Sequence, residues 1–396
     1  MIYKKVNIGD LVTLCQGFAI NKKTNHHISE EPTSLHLLRI GDMKNGNFSI
    51  FVKDTIPKKF IAKEHDIIYT RTGQVGLVFR KQNGVIHNNC FTVTSKDDKI
   101  LYQEFLYYVL QEKSFYEEAI SRATGAAQPD LPHNAFNSIQ IFLPPIDSQI
   151  RITEILNSYD NLIENNQKQI KLLEEAAQRL YKEWFVDLRF PGYEKVKVVD
   201  EIPEGWKKQK ISELGEIITG KTPSTTQKQY YGGNIPFVKI PDMHDCVFPI
   251  TTENALTIEG ANTQRNKFVP KDSIMVSCIA TVGLVNIAIE QCQTNQQINS
   301  IILNNSKDLY YLFFTMKRLK VLLEGVGSNG ATMSNVNKTK FANLIIIYPT
   351  DEIRKQYFDF CEPIFKKIYS LSICNNKLVK ARDRLLPKLI NEEIKI

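Results

Sequence analysis

The sequence predicts an α+β fold in which two similar α/β units are separated by two long antiparallel coiled-coil helices, related by a pseudo-two-fold axis. Two observations predict it. The first is duplication at a separation of 200 to 207 positions. Leu35-His-Leu-Leu-Arg-Ile-Gly-Asp-Met43 returns as Ile235-Pro-Phe-Val-Lys-Ile-Pro-Asp-Met243. Ile67-Ile-Tyr-Thr-Arg-Thr-Gly-Gln-Val-Gly-Leu-Val78 returns, with one extra residue, as Ser273-Ile-Met-Val-Ser-Cys-Ile-Ala-Thr-Val-Gly-Leu-Val285. Gly125-Ala-Ala-Gln128, with Phe136 and Pro144 downstream, returns as Gly330-Ala-Thr-Met333, with Phe341 and Pro349. A repeat this long is a duplicated domain, not a short solenoid unit. The second observation is a pair of heptad seams, one after each unit.

The elements follow in order. Residues 1–143 alternate short β-branched or aromatic runs with Gly, Asn, Asp and Pro punctuation, which predicts a compact strand-rich domain with a helix near Glu104 to Ala119. The strand runs are Phe48-Ser-Ile-Phe-Val52, Asp66-Ile-Ile-Tyr-Thr70 and Gly76-Leu-Val-Phe79. Residues 144–199 form the first helical spacer, a helix from about Ser148 to Val186 on the seam Ile152, Leu156, Tyr159, Ile163, Asn166, Ile170, Leu173, Ala177, Leu180 and Trp184. Its length is about 60 Å at 1.5 Å per residue. Pro191-Gly192 stops it. Residues 200–349 repeat the α/β unit, and residues 350–396 repeat the spacer on Ile353, Tyr357, Phe360, Ile364, Lys367, Leu371, Cys374, Leu378, Ala381 and Leu385. The mid-seam polar residues Asn166 and Lys367 predict that the helices pair with each other in a fixed register. Pro363 is expected to kink or break the second helix near its start.

Composition describes an ordinary globular chain of two or three domains: 396 residues, 42% hydrophobic and 23% charged, with a net charge of +7 that is compatible with a polyanionic partner. Met1-Ile-Tyr-Lys-Lys begins without an apolar signal stretch and no run approaches the roughly 20 apolar residues of a membrane span, so a cytoplasmic location is expected. The seven cysteines are odd in number, unpaired in spacing and mostly set in apolar runs, and read as reduced core residues. No metal site is expected, because His244-Asp-Cys246 offers too few ligands for zinc. His26-His27 reads as a solvated loop.

Gly215-Glu-Ile-Ile-Thr-Gly-Lys-Thr222 matches the phosphate-loop pattern letter for letter, which is the case for a P-loop-like NTPase. Its context speaks against that function. A phosphate loop follows a buried strand and opens into a helix. Here Ile211-Ser-Glu-Leu214 reads as a helical turn before the motif, Glu-Ile-Ile-Thr as a strand start, and Pro223-Ser-Thr-Thr-Gln as loop. The corresponding Leu11-Val-Thr-Leu-Cys-Gln-Gly-Phe18 keeps the second glycine without the lysine and threonine, so a shared turn accounts for both copies.

Over its whole length the chain resembles the specificity subunit of type I restriction-modification systems. The resemblance rests on Leu143-Pro-Pro-Ile-Asp-Ser-Gln-Ile150, Leu172-Leu-Glu-Glu-Ala-Ala-Gln-Arg-Leu-Tyr-Lys-Glu-Trp-Phe185, Ile202-Pro-Glu-Gly-Trp206 and Arg384-Leu-Leu-Pro-Lys-Leu-Ile390, in that order between two variable units. It implies that the units are target-recognition domains, each reading one half of a split double-stranded DNA sequence. It implies further that the helices space them and dock methyltransferase (modification) subunits, two in number, with a restriction and translocase subunit completing the complex. The chain itself is then non-catalytic and binds no cofactor, S-adenosylmethionine being held by the methyltransferase partner. Leu143-Pro-Pro-Ile146 agrees, lacking the polar first and aromatic last residues of a methyltransferase tetrad. The other reading is a free-standing bipartite DNA-binding scaffold.

Readers of duplex DNA need cations for phosphates and Arg, Lys, Asn or Gln for base edges. In the first unit the candidates are Lys22, Lys23, Lys44, Arg71, Gln74, Arg122 and Gln128. In the second they are Lys221, Lys239, Arg265, Lys267, Asn295, Gln296, Asn329 and Lys338. Leu172, Leu173, Leu180, Tyr181, Trp184 and Phe185 carry more apolar surface than one seam needs, which predicts a partner-binding face.

Overall fold

In a computed structural model, residues 4–125, 127–319, 321–322, 335–391 and 393–394 are described. The chain divides into two compact units, one of residues 1–161 with 378–396, the other of residues 162–377. Both long helices therefore contribute to each unit. They run over Ile146–Phe185 and Asp351–Ile390.

In the first unit a four-stranded antiparallel sheet has the order Val12–Gln16, Cys90–Ser95, Ile67–Thr70, Val78–Phe79. The second unit repeats it as Gly215–Thr219, Ile298–Leu303, Ile274–Ser277, Val285–Ile287. A parallel pairing recurs as well, Leu37 with Val85 in one unit and Phe237 with Gln293 in the other. A closing antiparallel pair recurs in each unit, Lys4–Asn7 with Gln140–Leu143, and Lys207–Lys210 with Ile345–Tyr348. The duplication seen in the sequence is thus a duplication of topology.

The continuous apolar strands lack a polar face because each is buried on both sides. Ile67 and Tyr69 join one core with Phe91, Phe105 and Phe136, while Ile68 joins another with Leu38, Ile86 and Cys90. Ile274 and Val276 face the helix Leu309–Lys317, and Met275 faces Val238, Val269 and Ile298. That helix is buried over the whole of Leu309–Met316, as its apolar residues on every side require.

The helix expected near Glu104 to Ala119 is two helices, Gln103–Gln111 and Lys113–Arg122. Glu112 breaks the run. Its extended backbone turns the chain, and its buried carboxylate accepts from the backbone N–H groups of Ser114 and Phe115, capping the second helix.

The entry of each long helix is fixed by one buried side chain at equivalent positions. Gln149 donates to the carbonyl of Pro144 at 2.8 Å and to that of Ile100 at 2.9 Å, and accepts from Tyr102 N at 2.9 Å. Arg354 donates to the carbonyl of Pro349 at 3.2 Å and pairs with buried Asp308. Burial pulls the Arg354 pKa down to about 10.

The first seam is buried or half-buried at all ten predicted positions, Ile152 through Trp184. The second differs from expectation. Phe360 is 46% exposed, and Lys367, Cys374 and Ala381 face solvent, whereas Cys361, Phe365 and Ile368 are buried against Tyr310, Phe313 and Phe248. The buried stripe follows the core of the α/β unit and is wider than a coiled-coil seam. Pro363 does not break the helix. Pro363 and Asp359, whose carbonyl loses its helical donor, both lie on the exposed face, and buried Cys361 and Phe365 hold the turn on either side.

Within the second unit the helices run antiparallel: Asn166 meets Asn375, and Tyr357 Oη donates to the carbonyl of Ala177 at 2.9 Å. Within the first, Asp160 binds Arg382 at 2.7 Å, while Ile152 and Leu156 share a core with Leu386, Leu389 and Ile390. Asp160 also accepts from Arg80 at 2.9 Å and Tyr108 Oη at 2.7 Å, and Arg80 pairs with Glu104 at 2.9 Å. A half-buried ionic cluster therefore fastens both helices to the first α/β portion.

Candidate nucleic-acid interface

The turn after strand Ile67–Thr70 is the most informative element of the first unit. Thr70 N donates to Leu77 O and Gly76 N to Thr70 O, both at 3.0 Å, closing a loop whose tip carries Gly73 and Gln74. Gly73 and Gly76 have φ of 83° and 93°, in the left-handed region that glycine tolerates. The second unit builds the same loop with Ser277 N to Leu284 O at 2.9 Å and Gly283 N to Ser277 O at 3.0 Å. A shared frame thus presents different tips, Arg-Thr-Gly-Gln in one copy and Cys-Ile-Ala-Thr in the other.

On the first unit, Lys44 Nζ lies 3.4 Å from Gln74 Oε1, so two of the predicted DNA-binding residues stand together, both exposed. Gln128 is exposed on the loop after Arg122. Lys22 and Lys23 occupy an exposed turn closed by Lys23 N on Asn21 Oδ1 at 2.9 Å. Arg122 is committed locally, to Glu118 and to Ser138 Oγ at 2.5 Å.

Arg71 is not a free cation. Its Nε and Nη2 grip the two oxygens of Asp130 at 3.1 and 2.5 Å, and Nη1 donates to Gln16 Oε1 at 3.0 Å. Gln16 Oε1 is also 2.8 Å from His133 Nε2. Hydrogen bonding from Arg71 holds the Asp130 carboxyl below the usual carboxylate range, with Thr72 adding to it. Burial, and then the neighbouring Arg71 charge, lower the pKa of His133. Sequence reasoning missed Gln16, Asp130 and His133. The only signal available was the alignment of the two copies.

The second unit gathers most of its candidates in one place. Lys221 N donates to Thr294 O at 3.0 Å, Thr222 Oγ1 donates to Gln296 Oε1 at 2.6 Å, and buried Gln264 donates to Lys221 O at 2.6 Å just before Arg265. Lys221, Arg265 and Gln296 are exposed there, while Lys267 is half-buried. Asn295 is buried and shapes the turn, its Nδ2 donating to Gln297 Oε1 at 2.9 Å and its Oδ1 accepting from Gln297 N at 3.1 Å. Lys239 follows Val238, whose carbonyl accepts from Asn295 N at 3.2 Å, and its ammonium lies 3.4 Å from Glu253. Lys338 is exposed at the start of a short helix, Lys338–Ala342. Asn329 lies outside the described residues.

The phosphate-loop lookalike has neither the strand-to-helix setting nor the helix. Thr222 to Gln227 is loop and only the short 3-10 turn Lys228–Tyr230 follows. Gly220 is required for a different reason: a Cβ there would lie 2.2 Å from Asn295 O, just as one on Gly17 would lie 2.2 Å from His87 O. Both glycines let a strand end pass against a neighbouring backbone.

The proposed apolar partner face is mostly interior. Tyr181 is 5% exposed, stacks near Tyr311 and Phe314 and bonds Thr315 Oγ1 at 3.0 Å. Leu173, Leu180, Trp184 and Phe185 pack on the same core, and Leu172 alone of the six stands out, at 65% exposure. Their excess of apolar surface is consumed by the α/β unit against which the helix lies.

Two stretches, residues 3–175 and 203–378, match the family model described as the type I restriction modification DNA specificity domain. The chain belongs to this family. A type I restriction enzyme HindI specificity subunit from Haemophilus influenzae is 32% identical, aligning 84% of this chain and 87% of that one. The MjaIX specificity subunit of Methanocaldococcus jannaschii is 26% identical, over 83% of this chain and 78% of the relative. The crystal structure of the type I restriction-modification S subunit from M. genitalium covers 98% of this chain and 96% of its own with a TM-score of 0.58 at 16% identity, a likeness of fold. The protein is a type I specificity subunit with two target-recognition domains. Among the described residues no helix is long and apolar enough to cross a membrane, and no group of three or more His, Cys, Asp or Glu converges.

Proposed function

We propose that the two domains read the two halves of a split DNA target, one half each, and that the subunit performs no chemistry itself. The observation that carries this reading is the contrast within the repeated turn: identical backbone bonds at residues 70–77 and 277–284 frame tips of unrelated chemistry. A shared scaffold with divergent tips is what reading two different sequences requires.

The long helices set the spacing of the half-sites and dock two methyltransferase subunits, with a restriction and translocase subunit joining the full complex. Adenine methylation draws on S-adenosylmethionine held by the methyltransferase, and the assembly works in the cytoplasm. Lys44, Gln74 and Gln128 contact DNA from the first unit, with Lys22 and Lys23 on the flanking phosphates. Lys221, Arg265, Lys267, Gln296 and Lys338 do so from the second.

The experiment is an exchange. Residues 1–143 are replaced by the first unit of another specificity subunit, and the methylated motif is mapped in cells carrying the hybrid with its methyltransferase. One half-site changes and the other stays. A hybrid that alters both half-sites, or neither, contradicts independent reading.

A further inference from the structure

We infer that Arg71 and Asp130 form a positioning clamp, which holds the 70–76 turn and the segment 127–131 as one reading surface for the first half-site without either residue touching DNA. The inference rests on the DNA-reading function proposed above and assigns its first half-site to a particular pair of loops.

The guanidinium has five N–H donors on three nitrogens, and its two-pronged grip on the carboxylate plus the bond to Gln16 engage every one of those nitrogens. With a side chain only 21% exposed, Arg71 keeps little to offer a base edge or a phosphate. Asp130 in turn accepts from Thr72 Oγ1 at 2.5 Å. The backbones are joined in parallel with the side chains: Gly73 N to Pro129 O at 2.8 Å, Leu131 N to Arg71 O at 2.9 Å, and Thr124 and Asp130 exchanging both N–H···O bonds at 2.8 Å. Gln16 extends the clamp to strand Cys90–Ser95 through Cys90 O at 3.3 Å and to His133. Gln74 and Gln128, both exposed, ride on the two segments that the clamp joins.

The second copy provides an independent argument. Arg71 corresponds to Cys278 and Asp130 to Asn335. The framework is conserved between the copies: Cys278 N donates to Gln297 O at 2.8 Å where Arg71 N donates to Asn89 O at 2.8 Å, and Val336 N donates to Cys278 O at 2.7 Å where Leu131 N donates to Arg71 O. The bridge between Thr72 and Asp130 recurs between Ile279 and Asn335. Cys278 is 1% exposed, so this backbone position directs its side chain inward. A site that faces the interior in one copy is used for holding the loop in the other, by an ion pair instead of a buried thiol.

The test uses the full chain bound to its methyltransferase partner and DNA libraries randomised at one half-site at a time, with affinity followed across a salt titration. Arg71→Ala and the near-isosteric Asp130→Asn should each reduce preference at the first half-site by about tenfold, the scale of one lost base contact, across several of its positions. The double variant should be no worse than Arg71→Ala, because the two residues act as one unit. Reading of the second half-site in the same molecules should be unchanged, which also reports folding. Should Arg71→Ala fail to fold, Asp130→Asn carries the test alone.

A salt slope lowered by roughly one in Arg71→Ala alone would mean a phosphate contact and overturn the clamp. Relaxation at a single base pair, not reproduced by Asp130→Asn, would make Arg71 a reader and overturn it too. So would unchanged first-half preference in both variants. If the wild-type complex shows no preference at either half-site, the DNA-reading function itself falls; the clamp fails separately when wild-type preference is intact.

Discussion

Asn166 donates its side-chain amide to Oδ1 of Asn375 at 2.8 Å, and Asn375 Nδ2 lies 3.4 Å from the carbonyl of Ile163. Asn166 is 9% exposed, so the pair sits in the seam between the antiparallel helices with apolar Ile163 one turn away. Two amides that satisfy each other are tolerated there only when the helices are in register, which makes the pair a register pin.

Removing Asn166 leaves Asn375 Oδ1 without its donor. Asn166→Leu is expected to destabilise the second unit by about 1 kcal/mol, the cost of a half-buried acceptor left unpaired. Asn166→Leu with Asn375→Leu should recover that loss or exceed wild-type stability, since the seam becomes uniformly apolar, while permitting slipped pairings. Denaturant unfolding of the three variants measures the cycle. A double variant that is less stable than either single would contradict the pin.

The register pair also marks where sequence reasoning reached its limit. The first seam was legible because the helix buries a stripe close to the heptad period, from Ile152 to Trp184. The second was not, and Lys367, expected to match Asn166, faces solvent. Phe358, Cys361, Phe365 and Ile368 pack on aromatic residues from distant segments, and that tertiary burial widens the stripe beyond any heptad. The site shows the same division. The 70–76 turn was readable from its glycines, but the carboxylate that occupies Arg71 is 59 residues away and no local pattern announces it.

A second prediction concerns Asp160, which neutralises Arg80 and Arg382 and accepts from Tyr108. Its side chain is 14% exposed, as is that of Arg80. Burial, reinforced by the bond to Asp160, raises the Tyr108 pKa, so the phenol stays protonated as a donor. Asp160→Ala leaves Arg80 with Glu104 and Arg382 with Asp383 but removes the carboxylate the two guanidinium groups share, and should cost about 1–3 kcal/mol in equilibrium unfolding. Asp160→Asn should cost less, because it keeps an acceptor. Equal losses for the two would show that packing and not charge holds this cluster.

The third prediction is a pH dependence in the first unit. His133 has its pKa lowered below 6.5 by burial and by Arg71, opposed by Asp130, and His87 is lowered by burial and by Arg39. A histidine with a depressed folded-state pKa takes up its proton more readily when unfolded. The stability it contributes is therefore complete above the ordinary value of 6.5 and is lost as pH falls through the lower folded value. Thermal unfolding should show a melting temperature that drops on acidification below that value, and His133→Gln should flatten part of the drop. A slope unaffected by the substitution would assign the effect to His87 and the carboxylates.

The last prediction concerns Lys221, the residue that gives residues 215–222 their phosphate-loop spelling. Its backbone is fixed by Thr294 O and by Gln264, and the residue is exposed, as are Gln296 and Arg265. No helix starts after it, so its amides do not converge on a nucleotide phosphate as a phosphate loop requires. A cation placed this way attracts the DNA backbone irrespective of sequence. Lys221→Ala should weaken DNA binding by a similar factor on all sequences and lower the slope of log affinity against log salt by roughly one. The methylated motif should not change. Saturable ATP binding by the purified subunit, abolished in Lys221→Ala, would overturn this assignment. A change in the bases recognised at the second half-site would instead make Lys221 a reader of base edges.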